Sequence, residues 1–244
     1  MPLYCAPPPR YLRACIFSLP HRAFETNTQR LASRSVLACM VTIACLTLIN
    51  PVFAECRPQP QAQCQGAKLS HVDWRNSQLQ GADFRHADLN GANFAGSNLT
   101  GADFRGAKMA FARLERSDLT DANFDDVDLR WSHFHRSILV RTHFIGSNLS
   151  KTDMEEADAS HALLRGADLT RSNLEGTDFQ QADLSNVKLD GARMTHANLK
   201  QTNFSGATVN QTRFTGARLS GAIWINGDVC VSTSVGICNR SGVR

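Results

Sequence analysis

One feature constrains this chain above all others: a five-residue period that runs for most of its length without a break. The stretch GADFRHADLNGANFAGSNLTGADF, residues 81–104, repeats a small residue, Asp or Asn, Leu or Phe, and two variable positions. Call the large apolar position i. It falls on every residue number ending in 4 or 9 from Leu69 to Trp224, which makes 32 consecutive units without an insertion. Position i−2 is Ala, Ser, Thr or Val in each of them. An α-helix cannot keep such a stripe on one face, because five residues rotate it by about 500°. A plain strand cannot either, since side chains alternate with period two and five is odd. The chain must turn a corner within every unit to bring position i back inside.

The corner accounts for the remaining positions. Residues i−2 and i point inward, the small one leaving space for the large one, and i−1, i+1 and i+2 point outward. Asp or Asn at i−1 can accept hydrogen bonds from nearby backbone and so support a turn. Gly recurs at i+2, as at Gly81, Gly91, Gly101, Gly106, Gly166 and Gly191, where the backbone bends tightly. Stacked coils would pair their backbones in parallel and build the interior from ladders of like side chains.

These residues match the pattern A(D/N)LxX, and GADLTRSNLEGTDFQQADLSNVKLDGARMTHANL (166–199) shows it without interruption. The chain resembles the pentapeptide-repeat family over residues 67–224. The resemblance implies an all-β fold, a right-handed quadrilateral parallel β-helix with one pentapeptide per side. Four units per coil turn 32 units into about eight coils, a column roughly 38 Å long at the usual strand spacing.

A four-sided coil makes every twentieth residue share a wall. One wall then reads Phe84, Phe104, Phe124, Phe144, Leu164, Leu184, Phe204, Trp224, and the wall opposite it Trp74, Phe94, Leu114, Phe134, Met154, Leu174, Met194, Phe214. The other two walls are rich in Leu. The twenty-residue order is not required by a five-residue period, so it supports the coil count. Ala159 is the one undersized residue at position i, and irregularity is expected near residues 155–164.

The ends differ from the repeats. Residues 1–54 hold five Arg and one acid, Glu25, followed by the uncharged run SVLACMVTIACLTLINPVFA at 35–54. A basic region, an apolar run and small residues before Glu55 have the layout of a secretory signal, with cleavage expected after Ala54. An uncleaved signal anchor is the alternative, since twenty uncharged residues can span a bilayer. The expected location is periplasmic or secreted. Residues 55–66 form an N-terminal cap, 67–224 the repeats and 225–244 a C-terminal cap in which Asn226-Gly227 marks a tight turn. Residues 55–244 carry 21 Lys and Arg against 21 Asp and Glu, so the basic character of the whole chain, +4, belongs to the leader. Four cysteines remain after the leader: Cys56, Cys64, Cys230 and Cys238. In an exported chain they are read as two disulfides. Three pairings are open, of which Cys56–Cys64 and Cys230–Cys238 is the expected one; a four-thiolate metal site would draw on both ends of a long rod. The end segment AIWINGDVCVSTSVGIC also resembles a terminal Trp–Gly–Cys–Ser–Gly–Cys signature of bacterial pentapeptide-repeat proteins.

Catalytic signals are missing from the sequence: no phosphate-binding Gly loop, HExxH or nucleophile elbow. The many aspartates sit at i−1, where turn support explains them. No cofactor, catalytic residue or resident metal is expected. One stretch, RWSHFHRSILVRTHFI (130–145), departs from the polar surface norm. It turns Trp131, His133, His135, Ile138, Val140, Arg141, His143 and Ile145 outward. Contact with a protein partner or a second copy, neutral surface drift and a His metal site are the competing readings. Phe111, Leu163 and Ile223 are further outward apolar residues, read as isolated. The expected function is an exported, non-enzymatic structural or protein-interaction module with no nucleic-acid partner. The family resemblance supplies an alternative, a DNA-mimicking modulator of DNA gyrase, which calls for an acidic surface.

Overall fold

The computed structural model describes residues 56–239, which belong to the compact unit Ala54–Arg244. The signal segment, its cleavage point after Ala54 and the last residues of the C-terminal cap lie outside the described residues. Each unit places one bridging residue, i−1, opposite the residue twenty further on: Asp83 pairs with Asp103, Asp103 with Asn123 and Asn123 with His143, all parallel. The same step runs from Gln63 to Ile223. Four five-residue sides therefore make one coil. Two backbone hydrogen bonds repeat at every side, as where Phe84 N–H donates to Asp103 C=O (2.8 Å) and Asp103 N–H donates to Ala82 C=O (2.9 Å).

The ladder begins one unit earlier than the apolar period indicates. Cys64 takes position i, is 1% exposed, and donates its N–H to Asp83 C=O, with Ala62 buried at i−2. A half-cystine is a small hydrophobe and fills the slot. The expected N-terminal cap thus contains the first pentapeptide.

The corners share one geometry. The C=O of residue i accepts from the N–H three residues on, as in Ala82 N–H to Leu79 C=O (3.1 Å). The second outward residue, i+2, has positive φ in every unit from Gln61 to Gly221, as a turn with left-handed φ at its third position demands. Thirteen of these residues are glycine and twenty are not, among them Phe111 (φ 61°) and Trp131 (φ 61°). Asp and Asn at i−1 close the corner from outside: Asp125 N–H donates to Asn123 Oδ1 (2.8 Å) and Thr170 N–H to Asp168 Oδ1 (2.9 Å).

The interior follows the twenty-residue walls. Phe84, Phe104, Phe124 and Phe144 stack face to face with centroids 5.0, 4.6 and 5.2 Å apart. The opposite wall meets them edge-on, as Phe134 does Phe124 (6.2 Å, 86°) and Phe144 (5.9 Å, 89°). Hydroxyls at i−2 are buried without penalty because they donate to backbone, as Ser132 Oγ does to Leu129 C=O (2.6 Å). Ala159 does not disturb the coil: Ala159 N–H donates to Asp178 C=O (2.7 Å) and the repeating pattern continues through 155–164. The irregularity expected there is not found: the backbone pairing on both sides of Ala159 continues across the small side chain.

At the C-terminal end the chain reverses at Asn226-Gly227, where Gly227 N–H donates to Trp224 C=O (2.9 Å). The return segment runs antiparallel across two sides of the last coil, pairing Val229 with Ile223 and Val235 with Arg218. Cys56 and Cys64 have Cα atoms 5.1 Å apart, and Cys230 and Cys238 5.0 Å, both within disulfide reach.

Phe124 is fully buried between two rings. Phe124→Ala is expected to destabilise the column by about 3–5 kcal/mol in chemical denaturation. Gly101→Ala is expected to cost about 1 kcal/mol although the added methyl would meet nothing within 4 Å, because φ there is +66°.

Candidate functional site

The outward surface also obeys the twenty-residue step. Several left-handed corner residues with side chains reach the corner one coil away. Arg141 pairs with Asp121 through two bonds of 2.7 Å, Arg136 Nε donates to Glu156 (2.6 Å) and Gln181 Nε2 to Gln201 (2.7 Å). Where the next corner is glycine, the earlier side chain lies over it: His71 over Gly91, His86 over Gly106 and His196 over Gly216.

One corner row carries three large side chains in succession. Phe111 and Trp131 stack in parallel, 6.4 Å between centroids and 6° between planes, and Lys151 Nζ sits 4.3 Å above the Trp131 ring. Phe111 is 61% exposed and Trp131 46%. Phe111 therefore is not isolated. It forms an aromatic ladder with Trp131, capped by a cation–π contact worth about 0.5–1 kcal/mol at an exposed site. Beside it runs an open groove of about 670 Å³ with His71, Gly91, Lys108, Phe111, Asp128 and Arg130 on its walls.

The eight residues singled out in 131–145 do not converge. They circle one coil. Trp131 stands at the corner before the Phe134 side, and His133 and His135 lie on that side. Ile138, Val140 and Arg141 belong to the Leu139 side and its corner, and His143 and Ile145 to the Phe144 side. Ile138 is exposed, Val140 half-buried, and Arg141 engaged by Asp121. His143 Nδ1 lies 4.0 Å from Asp125 Oδ2, and Ile145 N–H donates to Asp125 Oδ1 (2.8 Å). His135 instead meets Asp153 and Glu155 of the next coil on its own side. A linear reading of 130–145 found the residues of one coil. Applying the twenty-residue step to outward positions would have found Phe111 and Lys151.

Charges on the outer walls are paired locally. Arg at i+1 forks onto Asp at i−1 of the same unit, as Arg85 does to Asp83 (2.9 and 2.6 Å) and Arg130 to Asp128 (2.8 and 2.8 Å). The hydrogen bonds from Arg85 and Arg130 hold the Asp83 and Asp128 carboxyls below the usual aspartate range, against the upward push of partial burial. Every displaced carboxyl among the described residues moves in the direction that keeps it ionised. No described helix is long and apolar enough to cross a membrane.

A solenoid of identical five-residue sides, with a passive ladder core and an outward row of display positions, defines the class. Family comparison makes the assignment specific: the model for pentapeptide repeats matches in 8 copies over residues 62–101, 97–136, 128–166, 137–176, 162–201 and 182–221. The chain belongs to the pentapeptide-repeat family, whose right-handed β-helix is the fold described above. A trypsin-treated variant of QnrB1, a plasmid-mediated fluoroquinolone resistance protein, is similar at a TM-score of 0.54 and 17% identity, over 75% of this chain and 87% of that one. HetL, a pentapeptide repeat protein involved in heterocyst differentiation regulation from the cyanobacterium Nostoc sp. strain PCC 7120, is 22% identical over 66% of this chain and 94% of its own, with a TM-score of 0.35. No curated protein matches the chain in sequence. At these identities the likeness concerns the fold.

The Arg–Asp pairs predict an acid limit. A carboxyl with a depressed folded pKa contributes stability that is fully present above the unfolded value, about 4, and is lost as pH falls through the folded value. The urea midpoint is therefore expected to be insensitive to these pairs between pH 5 and 8 and to fall below about pH 4. Asp83→Asn should remove part of that decline.

Proposed function

We propose that the protein is an exported, non-enzymatic column that presents a docking surface to a protein partner. The observation that carries this reading is the outward Phe111–Trp131–Lys151 ladder, two exposed aromatic rings on a polar wall beside an open groove. Aromatic groups of this kind dominate binding energy where they become buried by a partner. The non-enzymatic part rests on the chemistry of the surface. The displaced carboxyls are engaged by Arg or by turn backbone, which suits support of the fold rather than proton transfer. Export rests on the basic and apolar layout of residues 1–54 and on four cysteines placed as two close pairs.

Modulation of gyrase by DNA mimicry draws no support from the surface charge. Residues 56–239 hold 19 Lys and Arg against 20 Asp and Glu. Four of the acids, Asp73, Asp83, Asp103 and Asp128, are also forked by an Arg two residues away, which neutralises part of a surface that a duplex mimic would keep anionic.

Cell fractionation with intact-mass measurement tests the export claim: the chain is expected outside the cytosol, beginning at Glu55. A Phe111→Ser/Trp131→Ser variant tests the surface. It is expected to melt within a few degrees of the parent and to bind its captured partner about thirtyfold or more weakly, the loss typical of a central aromatic anchor. An uncut leader in the cytosol would overturn the first claim, and unchanged partner affinity the second.

A further inference from the structure

On the side that carries Phe134, two outward columns run along the rod. The i−1 column reads Arg113, His133, Asp153, Asn173, Arg193, and the i+1 column Glu115, His135, Glu155, Glu175. Three of these side chains converge. One ligand atom from each of His135, Asp153 and Glu155 lies within 4.8 Å of the other two, and all three residues are half-buried. We propose that they form a binding site for a divalent first-row transition cation of the zinc or manganese type.

Charge pairing around the cluster supports this. The neighbouring guanidinium groups are engaged elsewhere: Arg113 by Glu115, Arg136 by Glu156 and Arg193 by Glu175. Neither Asp153 nor Glu155 has a cation within ion-pair distance among the described residues. In four units an outward acid at i−1 carries an Arg at i+1, as Asp73, Asp83, Asp103 and Asp128 do, and elsewhere that place is held by a neutral residue. Here that place is taken by a second acid, so two carboxylates stand side by side. Asn173 holds them in position: its Nδ2 donates to Asp153 Oδ1 (3.0 Å) and to Glu155 Oε2 (2.9 Å). One oxygen of each carboxylate is left to turn towards the His135 ring. An oriented neutral donor behind two acidic ligands is the arrangement outer partners give a metal site.

Geometry and donor type select the cation. Bonds of about 2.0–2.2 Å to nitrogen and oxygen place ligand atoms about 3–4.3 Å apart, so the cluster closes on an ion with side-chain shifts of about half an ångström. One imidazole and two carboxylates suit zinc, manganese, cobalt or nickel better than calcium or magnesium, which favour oxygen alone. The remaining coordination positions face solvent, which makes the site an open one. His133, one column over and exposed, is not among the converging groups. This inference does not rest on the docking reading: the aromatic ladder lies at a corner, and the cluster lies on a side.

Calorimetric titration of the untagged chain, stripped with a chelator, tests it with zinc chloride and then manganese chloride. A single saturable site is expected, abolished in His135→Ala and in Glu155→Gln. Asn173→Ala should weaken it by about ten- to a hundredfold, and calcium should fail to compete. All three residues are on the surface, so each variant should keep the parent's circular dichroism and metal-free melting temperature. Absence of saturable binding overturns the proposal. So does binding that survives His135→Ala, which would place the ion on another histidine.

Discussion

Everything in this molecule depends on the parallel hydrogen bonding between a residue and the one twenty places later. That pairing is the reason a sequence of period five becomes a structure of period twenty. A slip of one residue would turn each inward pair i−2 and i towards water, and a slip of five would place Leu against Phe along each wall. The first is forbidden by burial. The second is discouraged by ring stacking, since Phe84, Phe104, Phe124 and Phe144 meet face to face only when the coils are in register. Backbone pairing fixes the spacing and the aromatic wall chooses among the few registers that spacing allows.

The corners carry the cost of this arrangement. A left-handed residue with a side chain gives up about 1–2 kcal/mol, and twenty of the corners carry one. Glycine would remove the strain but would leave a bare corner. The side chains that replace it reach across to the next coil, as ion pairs at Asp121–Arg141 and Arg136–Glu156 and as stacked rings at Phe111–Trp131. Burial of each apolar residue at position i, worth about 1.5–3 kcal/mol, offsets the strain within its own unit. The corner rows are thus where a sequence can vary its surface without touching the core. Phe111 and Trp131 are the Phe and Trp residues found at these positions among the described residues.

The fold was legible because its determinant is local and repeated. Position i names the core, i−2 names the spacer, and Asp or Asn at i−1 names the turn. Glycine at i+2 pointed to the bend, and the structure extends the same left-handed geometry to Phe111, Trp131 and Arg141, whose identity hides it. One expectation failed. Ala159 was read through side-chain volume, whereas the backbone ladder continues across it. For the outward residues of 130–145, neighbours on a solenoid also lie one coil apart rather than along the chain. His135 therefore belongs with Asp153 and Glu155, and Trp131 with Phe111 and Lys151, rather than with each other. Cys64 falls at position i of the period, but as a half-cystine it does not carry the large apolar side chain that marks the other units.

Local charge pairing says more about this surface than net charge does. A duplex presents anions that have no fixed partner, so a protein replacing it must leave its acids open along a whole wall. Here Asp83, Asp103 and Asp128 at i−1 are forked by Arg85, Arg105 and Arg130 at i+1 of the same pentapeptide, so neutralisation in those units is local. Paired opposite charges a few ångströms apart are electrically quiet at a distance, being screened beyond about a Debye length. On the proposed docking surface this weights contact over steering. Two outward features stand apart from the repeat: a stacked pair of rings at one corner, and two adjacent acids, Asp153 and Glu155, beside His135.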